Sequence, residues 1–340
     1  MIQINEVNLQ TNWQKELANV VTDPQELLNI LGLSEHFDAH DLEAKRLFPM
    51  RVPRPFIAKM RYGDPQDPLL LQVLPVHQEF LTQAGYSKDP LEEQDAPVPG
   101  LLHKYRSRVL LMLKTGCAVN CRYCFRRHFP YQDNQVNKRT LAPVFDYLRA
   151  HNEINEVILS GGDPLMAKDE MLVWLLDQLE AMPQIKRLRI HSRLPVVIPA
   201  RITEALCQRL NKSHLKIILV NHINHPNEID DSFKIAMQKL KQANVTLLNQ
   251  AVLLKDINTD VATQAQLSEA LFDADILPYY LHLLDKVEGA SHFDVEEATA
   301  KAMMAELLEI LPGFLVPKLV REIGGQPSKT PIDLNLCQQL

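Results

Sequence analysis

From residue 108 onward the chain repeats one pattern, a short and almost wholly apolar run followed by a longer amphipathic one. The runs are RVLLML, EVILSG, RLRIHS, KIILVN, VTLLNQAVLL and YYLHLL, with stretches such as RTLAPVFDYLRA and DEMLVWLLDQLEAM between them. Apolar runs without alternation suit strands buried on both faces, and intervening helices are what parallel neighbours require. The pattern therefore predicts an α/β fold, a parallel sheet covered by helices. Six units suit a curled, incomplete (β/α)6-type barrel better than a closed eight-unit one.

Polar residues gather where these runs end. Cys117 follows the first, Ser160 to Asp163 the second, and His191 to Arg193 the third; Asn221 and His222, Asn249 and Gln250, and Asp285 belong to the last three. Barrel sites lie at C-terminal strand ends, so these residues are expected to converge. Taken singly, His191 or His282 reads as a satisfied core histidine.

Ahead of the repeat, residues 1–100 read as an N-terminal helical extension and connector. DPQELLNILGL has Asp23 as cap and Pro24 in the first turn, FPMRVPRPF is broken by proline, and the acidic, proline-rich stretch from Lys88 to Gly100 is a connector. No catalytic motif stands out there, and its expected role is to cover part of the main domain. Residues 101–312 form the partial barrel and 313–340 a short C-terminal segment. At 340 residues and 46% hydrophobic the chain can bury a large core, while a net charge of -6 argues against nucleic acid or an acidic membrane as partner. The start, MIQINEVNLQTNWQKEL, lacks a basic region followed by an apolar run, so a cytoplasmic protein is expected.

Three of the five cysteines, Cys117, Cys121 and Cys124, stand as CxxxCxxC just after the first strand run. Bunched thiols of this kind suit an iron–sulfur cluster, and three ligands for a four-iron cube leave one iron open to a small molecule. A structural zinc site would need a fourth ligand, for which His128 is the nearby choice. Cys207 reads as a buried small hydrophobe, and Cys337 is given no role. With Tyr123 just before the third cysteine, the loop resembles the signature of radical S-adenosylmethionine (SAM) enzymes. That resemblance implies a [4Fe-4S] cluster whose open iron takes the methionine end of SAM. It also makes SGGDPL the segment that holds the methionine amine, with Ser160, Gly161, Gly162 and Asp163.

REIGGQPSKTP, from Arg321 to Pro331, places Lys329 in a glycine-rich turn. It is either an exposed loop lysine or an amine able to reach a bound aldehyde. In order along the chain, PVPGLLHKY, the cysteine loop, SGGDPL, RLPVVIPARIT, NHPNEI, NQAVLL and GGQPSKTP resemble the lysine 2,3-aminomutase family. The likeness is greatest to the short bacterial form whose β-lysine is attached to elongation factor P.

This resemblance implies that Lys329 carries pyridoxal 5'-phosphate (PLP), that Arg193 and Gln250 lie around that coenzyme, and that Arg126 binds the substrate carboxylate. Asp285 and Glu322 would bind the distant ammonium, Glu322 being one methylene longer than the family's aspartate. Lys104 stands where the family has an arginine at the PLP phosphate, with Arg108 a weaker candidate. The longer members continue into a zinc-binding segment whose cysteines are not found here, so no structural zinc is expected. The implied reaction moves the amino group of L-α-lysine from C2 to C3, giving (R)-β-lysine. An aminomutase for another amino acid such as glutamate, or a radical SAM enzyme of different reaction type, is the alternative. An electron donor for the cluster, a link to elongation factor P and its β-lysyl ligase, and a homo-oligomer are the expected partners.

Overall fold

Residues 13–93, 96–130 and 136–336 are described here from a computed structural model. Cys337 and the first twelve residues lie outside them. The predicted repeat is present. Strand β1 (Leu101–Tyr105) forms an antiparallel hairpin with β2 (Arg108–Lys114), and from β2 the sheet runs parallel. In chain order come α4 (Ala142–Ala150), β3 (Glu156–Gly161), α5 (Asp169–Glu180), β4 (Arg187–Ser192), α6 (Leu194–Val197) and α7 (Glu204–Asn211). They are followed by β5 (Lys216–His222), α8 (Asp231–Gln242), β6 (Thr246–Val252), α9 (Val261–Asp273), β7 (Leu277–His282), α10 (Glu297–Ile310) and β8 (Lys318–Arg321). A short β9 (Thr330–Pro331) turns back antiparallel on β8. The spatial order equals the chain order, with β1 and β9 at the two edges, so the sheet curls without closing.

The six apolar runs are β2 to β7. The remaining strands, β1, β8 and β9, are each too short to stand out in the sequence from their surroundings. All six residues of β3 are buried, as a strand covered on both faces requires. The helices bury one stripe each: α8 turns Phe233, Ala236, Met237 and Leu240 inward, at helical spacing. Asp230 and Asp260 start α8 and α9 by accepting from the amides of Phe233 and Thr263 (2.9 and 2.8 Å).

The N-terminal layer comprises α1 (Trp13–Ala18), α2 (Pro24–Leu31) and α3 (Arg54–Ile57) with 3₁₀ turns between them. Pro24 opens α2 as expected, and Gly32 closes it in a left-handed conformation (φ +69°). Asp23 precedes it without a side-chain cap bond and pairs with Lys45 instead, at 3.3 Å. Trp13, Leu27 and Leu28 share one apolar cluster with Leu165, Val196 and Val197 of the barrel.

This layer does more than cover. Arg51 Nε donates to the carbonyl of Cys117 (3.1 Å), the Asn120 amide to Arg51 O (3.1 Å), and the Arg122 amide to Gln72 O (2.9 Å). Glu79, wholly buried, accepts from Arg122 Nε (2.8 Å) and from Nη2 of both Arg122 and Arg127 (2.6 Å each). The extension thereby supplies the partners that shape the cysteine loop, a role its sequence did not announce.

Candidate active site

A cavity of about 250 Å³ opens at the C-terminal ends of the strands. The residues given cofactor or substrate roles by resemblance, from Lys104 to Lys329, all line it, as do His191, His222 and His282. Asn221 and Asn249, expected to converge with them, do not: Asn249 bonds the backbone of Ile223 and Asn221 the carbonyl of Leu248. The lining residues divide between two ends.

At the first end stand the cysteines. The loop after β2 bends back on itself, the Cys124 amide donating to Cys121 O (3.0 Å) and the Arg127 amide to Cys124 O (3.1 Å), and all three thiols face the cavity. Burial pushes the Cys117 thiol well above its ordinary range and Cys124 up to about 11. Without a metal these groups hold their protons. Among the described residues no three His, Cys, Asp or Glu side chains converge on a single ion. A multi-iron cube, whose corner ligands stand apart, suits such a set of soft donors better than one zinc ion does. His128, the fourth zinc ligand considered above, turns to the carbonyl of Glu288 (3.2 Å) and does not line the cavity.

The glycines of SGGDPL are needed for a reason other than ligand approach. A Cβ at Gly162 would lie 2.3 Å from Gly116 O, and one at Gly161 (φ +108°) 2.7 Å from Lys114 O. The loop after β3 is zipped onto the cysteine loop, with the Gly162 amide on Lys114 O (2.7 Å) and the Asp163 amide on Gly116 O (3.0 Å). Asp163 is buried, and its carboxylate accepts from Ser192 Oγ (2.7 Å) and from the amides of Leu165 (3.0 Å), Arg193 and Leu194 (2.8 Å each). The side chain thus ties the loop after β3 to the loop after β4, and the segment meets the cavity mainly with backbone and Ser160.

Arg193, placed around the coenzyme by resemblance, is committed below the cysteine loop. It donates to Cys121 Sγ and Tyr123 Oη (2.7 Å each), Gln72 Oε1 (2.6 Å) and Glu228 Oε2 (2.9 Å). Tyr123 is a hub whose hydroxyl also meets Asn224 Nδ2 (2.7 Å) and His222 Nε2 (2.9 Å). Burial and the nearby Arg193 charge lower His222 to about 3, so it stays neutral.

The second end is built around the hairpin that joins β8 to β9. Glu322 directly follows β8 and Lys329 directly precedes β9, and the two form an ion pair. Gly325 makes the turn between them at φ +71°. Glu322 also accepts from Tyr105 Oη (3.1 Å), with Lys104 Nζ at 3.5 Å. Burial alone would raise Glu322, but Lys329 and Lys104 outweigh it and hold the carboxyl down at about 2. Lys329 is therefore a half-buried cavity lysine, and the exposed-loop alternative does not hold.

At Asp285 the same two lysines act too weakly to compensate. Burial, reinforced by Glu322, raises it to about 7, and among the described residues its carboxylate makes no hydrogen bond or ion pair. His191 and His282 also line this end. Among the described residues the Nε2 of each is buried without a partner, and burial drives both far below the usual imidazole range. The expectation of satisfied core histidines is overturned: buried polar atoms normally find partners, and orphans facing a cavity point to a bound molecule. Gln250 and Arg108 line the same space, Arg108 stacked 4.1 Å over Tyr105.

Arg126 and Lys104 share a partner absent from the sequence reading. Glu93, in the connector, accepts from Arg126 Nε (2.6 Å) and Nη2 (3.0 Å) and from Lys104 Nζ (2.9 Å). An acid among prolines carries no local mark of this; only the fold brings it to the cavity.

The model of the radical SAM superfamily matches residues 112–258, from β2 through the α8 and β6 region. Over 96% of both chains the sequence is 61% identical to L-lysine 2,3-aminomutase of Escherichia coli. It is 56% identical to the Haemophilus influenzae L-lysine 2,3-aminomutase over 94% of this chain and 95% of that one. The chain belongs to the lysine 2,3-aminomutase family. The Clostridium subterminale member is 33% identical over 94% of this chain and 77% of its own. Among solved structures, a radical SAM methyltransferase from Sphaerobacter thermophilus matches 65% of this chain and 68% of that one at 15% identity and a TM-score of 0.47.

The family is one of isomerases, and its cofactors are a [4Fe-4S] cluster, SAM and PLP. The residues present fit these groups. Three soft thiols share one loop, a reachable lysine stands in the cavity wall, and orphaned imidazole nitrogens lie beside it. No helix among the described residues is long and apolar enough to cross a membrane.

Proposed function

We propose that the protein converts L-α-lysine to (R)-β-lysine in the cytoplasm, and that this product serves the modification of elongation factor P through a β-lysyl ligase. The observation that carries the choice of substrate is Asp285. It is a recessed carboxylate raised to about 7, without a partner, next to Glu322 and Lys329. A recessed acid that its neighbouring lysines do not offset favours a cationic side chain, whereas glutamate would bring a further negative charge against it. The aminomutase names of the relatives support the reaction, and the likeness to the short bacterial form supports the link to elongation factor P.

In this reading Cys117, Cys121 and Cys124 hold the cluster. Ser160, Gly161, Gly162 and Asp163, with Tyr123 behind them, form the SAM side. Lys329 carries PLP, and Lys104, Arg108 and Gln250 surround it, while Arg193, bonded to Cys121 and Tyr123, stands on the cluster side instead. Together the cofactors supply a carbon-centred radical and a conjugated system on which nitrogen can migrate. The protein's own groups bind and orient. Arg126 takes the carboxylate and Asp285 with Glu322 the ammonium, while the zipped loops after β2 and β3 help keep water from the reacting carbons. His191 and His282, neutral and each with an unbonded Nε2 among the described residues, offer hydrogen bonds without adding charge.

The test is anaerobic incubation of reconstituted protein with SAM, PLP and a reductant, using lysine and glutamate in separate reactions, followed by chiral separation of products. (R)-β-lysine from lysine is expected; faster turnover of glutamate would sink the assignment. Loss of β-lysyl elongation factor P in cells lacking the gene checks the physiological link. Sedimentation of the holoenzyme checks the expected homo-oligomer.

A further inference from the structure

Among the described residues of the connector, Glu93 is the carboxylate that lines the cavity wall, and it is 4% exposed. The segment around it is anchored, with the Glu93 amide on Asp89 Oδ1 (3.0 Å) and Leu91 buried at 3% exposure. Its two oxygens grip the Nε and Nη2 edge of Arg126 at 2.6 and 3.0 Å, and one of them also takes Lys104 Nζ at 2.9 Å. The opposite end of Arg126, Nη1, reaches Ser160 Oγ (3.1 Å) and Gly161 O (3.4 Å) on the loop after β3. A long guanidinium side chain is thereby held from both sides at the cavity wall.

Held along both edges, Arg126 has lost its rotamer freedom before a ligand arrives, so a carboxylate at the cavity wall meets a guanidinium whose plane and position are already fixed. The same carboxylate keeps Lys104 and Arg126 from facing each other as bare like charges. Burial would raise the Glu93 carboxyl, but Arg126 and then Lys104 outweigh it and hold it low, so the pair stays ionic. A substrate carboxylate that displaced Glu93 would leave a buried charge without its partners, which is strongly unfavourable.

We propose that Glu93 is a positioning residue for the carboxylate end of the amino-acid substrate, fixing Arg126 at the cavity wall beside Ser160 and Gly161. This rests on the proposed role of Arg126. It goes beyond that role by assigning a determinant of substrate recognition to the connector, outside the barrel. The rival arrangement, in which Glu93 occupies the carboxylate site and leaves when substrate binds, predicts the opposite sign.

The test compares two ligands on the full-length, PLP-saturated protein without SAM. L-lysine carries the carboxylate and 1,5-diaminopentane lacks it. Equilibrium dialysis gives Kd for both with wild type, Glu93→Gln, Glu93→Asp and Arg126→Gln. The expectation is that Glu93→Gln weakens lysine about tenfold and leaves 1,5-diaminopentane within about twofold, with partial recovery in Glu93→Asp. Tighter lysine binding in Glu93→Gln would overturn the proposal in favour of displacement. Equal weakening of both ligands would overturn it in favour of a purely structural role. An unchanged ratio of the two Kd values in Glu93→Gln, with the ratio lost in Arg126→Gln, would reject Glu93 alone. A ratio retained in Arg126→Gln would reject the reading of Arg126 itself and the Glu93 proposal with it. If wild type binds neither lysine nor 1,5-diaminopentane, the substrate assignment fails, and a different amino acid and its decarboxylated amine replace the pair in the same Glu93 comparison.

Discussion

The two ends of the cavity are finished to different degrees. Around the cysteine loop the carboxylate and hydroxyl groups are paired: Asp163 accepts from Ser192 and three backbone amides, and Tyr123 joins Gln72, His222, Arg193 and Asn224. The atoms left over there, among the described residues, are Arg193 Nε and, on side chains that do not line the cavity, Arg127 Nε and the two His292 nitrogens. Around Lys329 the groups that face the cavity are the incomplete ones among the described residues, with the Asp285 carboxylate unpaired and His191 and His282 each holding an orphaned Nε2. The difference follows from how ligands are held. A cluster bonded to three thiolates needs its loop fixed in place, so the surrounding bonds serve the protein. Groups that bind a free small molecule must keep hydrogen-bonding capacity in reserve until it arrives.

If the ends are separate in this way, variants should fail separately. The largest effect is expected from Cys117→Ala, Cys121→Ala or Cys124→Ala. Each should lose the iron and sulfide of anaerobically reconstituted protein and all turnover, while PLP content stays near wild type; full iron retention in all three would reject the cluster assignment. Lys329→Ala should show the converse, keeping iron but losing the adduct that borohydride fixes in wild type. Recovery of that adduct on Lys318 would break the assignment of the hairpin.

Asp285→Asn sharpens the comparison within the second end. Losing one charged contact to the substrate ammonium should raise the lysine KM by about 10- to 100-fold, with cluster and PLP content unchanged. The pH dependence has a definite sign. Asp285 is raised to about 7 by burial and Glu322, so below that pH it is protonated and attracts the ammonium weakly. Lysine affinity of the wild type should therefore climb as pH rises through about 7 and then level off, whereas Asp285→Asn should flatten that limb. A limb that persists unchanged in the variant would assign the titration to another group.

The smallest of these effects, and one on folding more than chemistry, is expected from Gly162→Ala. The added Cβ would fall 2.3 Å from Gly116 O, backbone against backbone, so the loops after β2 and β3 must part. A loss of about 1–3 kcal/mol is expected in chemical denaturation, accompanied by weaker iron retention; wild-type stability would show that the loops are not zipped as described.

Continuous motifs are legible in the amino-acid sequence itself. The six apolar runs correspond to β2 to β7, since a strand buried on both faces writes its apolar character into consecutive residues. The cysteine triplet and the Lys329 turn are visible for the same reason, their chemistry lying within a few neighbouring positions. The sequence also places most of the polar strand ends together, because parallel topology sends every C-terminal end to one side; Asn221 and Asn249 are the exceptions, being turned to backbone partners.

Only the tertiary structure decided what those residues do to one another. It engaged Arg193 with Cys121, Gln72 and Glu228, and gave Asp163 a structural duty. It left the Nε2 atoms of His191 and His282 without a hydrogen-bond partner among the described residues, and it carried Glu93 from the connector onto Arg126 and Lys104. The physical reason is common to these cases. Whether a buried polar group is satisfied depends on partners often tens of residues away in sequence, Glu93 and Arg126 being 33 apart and Gln72 and Arg193 121 apart. Local pattern shows that a charge exists; only packing shows what compensates it.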